Sequence, residues 1–79
     1  MSERVKLIWD FRGPNASEIA AHHVVHLQEF ANAEKLDNPL YGTQQVSAMH
    51  HLAYMVINQD MVDDLRKRLK PNRGQRYLN

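Results

Sequence analysis

Four apolar side chains, Val5, Leu7, Trp9 and Phe11, alternate with Arg4, Lys6, Asp10 and Arg12, and the run then meets Gly13-Pro14. A period of two, with only Ile8 out of step, describes a strand over residues 4–12 with one buried and one wet face. Proline lacks the ladder donor and glycine permits the turn, so the strand stops there. The period then changes. Ala16, Ile19, Ala20, Val24, Leu27, Phe30 and Ala31 gather on one side at about 100° per residue, which predicts an amphipathic helix over residues 15–36. Asn15 is a good N-cap, Glu18 stands three positions on for a capping box, and Asp37-Asn38-Pro39 ends the helix.

Residues 37–44 read as a loop. Residues 45–57 hold no Gly or Pro, and both alternating sets (His50, Leu52, Tyr54, Val56 and His51, Ala53, Met55, Ile57) are largely apolar. That predicts one long strand covered on both faces. A helix is the rival reading, and the Tyr-Met-Val-Ile end favours the strand. Asn58 can cap a second helix over residues 59–70, with Met61, Val62, Leu65 and Leu69 at helical spacing. Its early Asp60, Asp63 and Asp64 and its late Arg66, Lys67, Arg68 and Lys70 complement the helix macrodipole. Pro71 ends that helix, and residues 71–79 form a basic tail.

The order strand, helix, strand, helix implies parallel strands joined by a right-handed crossover, with both helices on one face. The expected class is α+β, a small two-layer βαβα sandwich that looks like half, or a variant, of a ferredoxin-like unit. Two strands do not make a stable sheet alone. The second strand also carries an apolar set on the face away from the helices. Both problems are solved if a homodimer completes the sheet. With 79 residues there is one small domain, which buries only about 60–65% of its unfolded surface. Ten Lys/Arg against nine Asp/Glu, with 43% hydrophobic residues, exclude intrinsic disorder. No apolar run approaches a membrane span, and Met1-Ser2-Glu3-Arg4 does not open a signal peptide. The absence of cysteine removes disulfides and thiolate metal sites and leads us to expect a cytoplasmic protein.

The chemistry-bearing residues are five histidines in two clusters, His22, His23 and His26, then His50 and His51. His22, His26 and Glu29 fall on one helix face, where two imidazoles and a carboxylate can hold a divalent metal. The plainer reading is a solvated edge of i, i+3 and i, i+4 partners. His23 lies inside the apolar stripe, either as a core histidine bonded to a backbone carbonyl or Tyr hydroxyl, or as an acid, base or ligand in a cleft. His50 and His51 are adjacent on a strand and point to opposite faces. With the His50 set turned toward the helices, His23 and His50 become the candidate catalytic pair beside Trp9 and Tyr54. Trp9, Tyr54 and His51 are the candidate ligand-binding residues; as core residues, Trp9 and Tyr54 need no ligand.

Six of the ten basic residues lie from Arg66 onward, with no acid after Asp64, which suits phosphate contacts. The net charge of only +1 speaks against nucleic acid. No thiol nucleophile, nucleophile elbow or glycine-rich phosphate loop is present. These features favour a small homodimeric protein that binds a ligand or another protein, with no cofactor beyond a possible divalent metal. The alternative is a metal-assisted or cofactor-light enzyme using helix and strand histidines.

Overall fold

β1 (Arg4–Arg12) occupies the middle of the sheet in the computed structural model, which describes residues 3–77. The chain continues through α1 (Ala16–Glu34), β2 (Leu40–Ser47), β3 (His50–Asn58), a 3-10 turn (Gln59–Met61), α2 (Val62–Leu69) and β4 (Arg73–Tyr77). The four strands form one sheet in the order β2-β3-β1-β4, and every neighbouring pair is antiparallel. The result is a small α+β fold compatible with a two-layer sandwich.

Residues 45–57 are therefore not one strand. They divide at the turn Ala48-Met49, and residues 40–44, expected as loop, belong to β2. A β-bulge between Gln45 and Ser47 lies beside the turn, and neither turn residue has positive φ. The glycine or asparagine that marks most tight hairpins is thus not required. The neighbour of β1 is β3, antiparallel where a parallel partner was expected; β2 runs in the direction of β1 with β3 between them. The basic tail supplies β4. Ile8, Leu52 and Val56 on the face away from the helices are 2%, 4% and 0% exposed within the single chain. Four strands and this cover remove both reasons for completing the sheet with a second copy.

The antiparallel register assigns the faces. Val5, Leu7, Trp9 and Phe11 stand opposite Ile57, Met55, Ala53 and His51. Leu7, Trp9, Met55 and Ile57 share one buried cluster with Leu27 of α1 and Leu65 of α2, so both helices cover this face. Ala53 is small where its partner Trp9 is large, which makes room for the indole. The helix-facing set is thus His51, Ala53, Met55 and Ile57, not the His50 set. α1 lies on the sheet through Ala16, Ala20, Leu27 and Ala31, while Ile19, expected in that stripe, is 48% exposed.

Neither Asn15 nor Asn58 makes a side-chain cap, so the expected capping box is absent. Left-handed residues close the other ends: the Lys35 N–H returns to Ala31 and Asn32, and the Lys70 N–H returns to Arg66. Arg68 ties the helices together, donating to Glu34 at 2.8 Å and Asp64 at 3.3 Å while lying over the Phe30 ring. Trp9 Nε1 donates to the Leu69 carbonyl at 3.0 Å and anchors the end of α2. On the open face, Tyr54 lies across Gly42, where a Cβ would stand 2.6 Å from its hydroxyl. Its ring receives the Lys6 ammonium at 4.4 Å.

Candidate functional site

Asp10 is the hub of the open face. Its Oδ1 accepts from His50 Nε2 at 2.7 Å, and Arg73 donates to both of its oxygens at 3.1 Å, through Nε and Nη2. Three elements place these groups. Asp10 and His50 lie one diagonal step apart on β1 and β3. Asn72 then docks the chain ahead of β4 onto β1: its N–H donates to Ile8 O, and its side-chain oxygen accepts from the Asp10 N–H. Arg73 is thereby held opposite Ile8, within reach of the carboxylate.

Burial raises the Asp10 pKa, and the hydrogen bonds from Arg73 and His50 with their positive charges outweigh it, so the carboxyl lies below its ordinary value. An ionised carboxylate only accepts, so the His50 proton sits on Nε2 and leaves Nδ1 as an acceptor in the neutral ring. Arg73 is half exposed, and Arg12 stands opposite His50 in register. The corner therefore offers a fixed imidazole that shares its carboxylate with the Arg73 guanidinium, with Arg12 directly across the ladder. The guanidinium groups can hold an oxyanion, and Nδ1 of the neutral ring can accept a proton.

The sheet separates most of the residues grouped from sequence. His50 and Tyr54 lie on the open face, and His23 packs on the other side against Trp9 (ring centroids 4.9 Å) and Phe11 (5.5 Å). The proposed His23–His50 pair and the shared pocket with Trp9 and Tyr54 do not form, because β3 presents its other set to the helices. His51 faces inward opposite Phe11, on the side of Trp9. Asp10 is not among the residues singled out by the sequence, and Arg73 enters there only as one of the six basic residues from Arg66 onward. The signal is modest: one acid within a basic strand, and an arginine just beyond a helix-ending proline.

His23 Nε2 is buried without a hydrogen-bond partner. Burial first, then the neighbouring His26 charge, holds its pKa below the ordinary 6.5. The unfolded chain thus takes up a proton near 6.5 that the folded chain resists, so this group removes stability as the pH falls below that value. His23→Leu is expected to be neutral or stabilising at pH 8 and more favourable at pH 5, read from urea midpoints. An equal difference at both pH values refutes this role.

His22 and His26 do meet, with Nε2 atoms 3.0 Å apart. Glu29 reaches the other side of His26, at Nδ1, 3.5 Å away. Among the described residues, no group of three or more His, Cys, Asp or Glu side chains is placed to hold a metal. Two clefts, of about 370 and about 280 Å³, are floored by Leu36, Ile57 and Met61 and by Val5, Leu7 and Val62. Neither includes a histidine. The basic tail residues are spread out, Arg68 on Glu34, Arg73 on Asp10 and Arg76 3.9 Å from Glu3. No helix among the described residues is long and apolar enough to cross a membrane. Compared with protein-family models, curated proteins and solved structures, the chain finds no match.

Proposed function

We propose that this chain is a ferredoxin-like binding module, working as a homodimer, that takes a small anionic ligand at the Asp10–His50–Arg73 corner of its open sheet face. One observation carries the reading: a single carboxylate holds a largely buried imidazole and a half-exposed guanidinium side by side at the end of the sheet. The charge of that face supports it, since Arg4, Lys6, Arg12 and Arg73 share it with only one acid, Asp10, among the described residues. The strand order and the placement of both helices on one side support the ferredoxin-like arrangement. For the homodimer, the support is an outward face of α1 that leaves Ile19 and Val25 uncovered.

Titration of the full chain with inorganic phosphate tests the site. Saturable binding that weakens with salt is expected, and Arg73→Gln or Arg12→Gln reduces affinity about tenfold, equivalent to about 1.4 kcal/mol. Affinity unchanged in both variants overturns the assignment. The 2.7 Å Asp10–His50 bond favours a second, catalytic reading in which His50 Nδ1 acts as a general base oriented by Asp10. Loss of turnover in His50→Gln with phosphate binding retained distinguishes that case.

A further inference from the structure

His22 and His26 stand one turn apart on the outward side of α1, their rings 4.6 Å apart at 76° and their Nε2 atoms 3.0 Å apart. Zinc–imidazole bonds of about 2.0–2.1 Å at a tetrahedral angle separate two ligating nitrogens by about 3.3 Å. A shift of a few tenths of an ångström therefore converts this pair into a chelate. Glu29 supplies the supporting contact. Its carboxylate lies 3.5 Å from His26 Nδ1, behind the ligating nitrogen, in the place that carboxylates take behind metal-bound histidines. On this geometry Glu29 orients a ligand and is not one itself.

We infer that His22 and His26 bind a borderline-soft divalent cation of the zinc class through Nε2, and that the same pair on a second copy completes its four-coordinate shell. Structural zinc takes four protein ligands, and one chain supplies two. No third His, Cys, Asp or Glu joins them among the described residues. A two-fold pairing of α1 with its copy provides the missing two, since an isologous contact presents each residue twice. The surroundings favour that occupant over water alone. Ile19 and Val25, at i−3 and i+3 from His22 and about 60° to either side of it, are each 48% exposed and uncharged. Pairing of the helices buries both around the metal. Magnesium and calcium prefer oxygen ligands and are not expected here.

This inference rests on the homodimer reading above, and the test separates the two. Light scattering of the full chain with zinc chloride or with EDTA is combined with a metal count. The expected result is a dimer holding about half an equivalent of zinc per chain and a monomer in EDTA. His22→Ala and His26→Ala each weaken zinc binding about tenfold or more and remove the dimer, while Glu29→Gln costs less. Both imidazoles are exposed, so circular dichroism of the variants matches the parent. A dimer that persists in EDTA and in His22→Ala preserves the homodimer and overturns the metal bridge. One zinc per monomer overturns the second copy's part. A monomer under every condition, with zinc bound no better than by the double variant, overturns both.

Discussion

Trp9→Ala is expected to lower the unfolding free energy by about 3–5 kcal/mol. The indole is nearly buried in the cluster of Leu7, Leu27, Met55 and Leu65, packs at a tilt against His23, and donates to the last carbonyl of α2. Its removal leaves a cavity, unties α2 and strips one side of His23. Small domains have only about 5–15 kcal/mol in total, so this one side chain accounts for a large share of it. Trp9→Phe keeps an aromatic ring, leaves a smaller cavity than Trp9→Ala and orphans the Leu69 carbonyl, for a loss of about 1–3 kcal/mol. Urea denaturation followed by far-ultraviolet circular dichroism measures both. A loss below about 1 kcal/mol in Trp9→Ala contradicts this account of the core.

Asp10→Asn carries the second large effect, about 1.5–3 kcal/mol at pH 7, because the three bonds from His50 and Arg73 lose their carboxylate acceptor and the Arg73 guanidinium loses its counter-charge. The sign of the pH dependence follows from the lowered carboxyl. Its folded value lies below the ordinary 3.8, so its stabilisation is complete well above that value and is lost as pH falls through it toward the folded value. The parent should therefore weaken on acidification while Asp10→Asn should not show that share of the loss. Denaturation at pH 7 and pH 3 compares them. Arg73→Gln in the Asp10→Asn background should cost less than in the parent, since the partner is already gone. Strict additivity excludes the pair as a stabilising unit.

β1 was legible because Val5, Leu7, Trp9 and Phe11 alternate without competing signals, and α1 because Gly13-Pro14 breaks the strand ahead of a helical period. The hairpin was not legible. Ala48-Met49 turns without positive φ, so the residues that usually announce such a turn are not needed. Pro39 and Gly42 disguised β2, whose glycine is tolerated because the Tyr54 ring lies over it. Face assignment failed on size. The bulkier set, His50, Leu52 and Tyr54, was assigned to the helices, whereas Trp9 fills that layer and requires Ala53 opposite it. With the parity reversed, His50 and His23 fell on opposite sides of the sheet. Asp10 and Arg73 lie far apart in sequence, and only the β1–β4 pairing brings them together.

Arg4 of β1 and Tyr77 of β4 face one another across the first rung of their ladder. Arg4 and Tyr77 therefore lie at one corner of the sheet, where a short linker can join them in a permuted chain. New ends opened between Asp37 and Asn38, in the exposed connection ahead of β2, leave every strand adjacency intact. The architecture thus depends on which strands are neighbours more than on where the polypeptide begins, and a circularly permuted version is expected to reach the same shape.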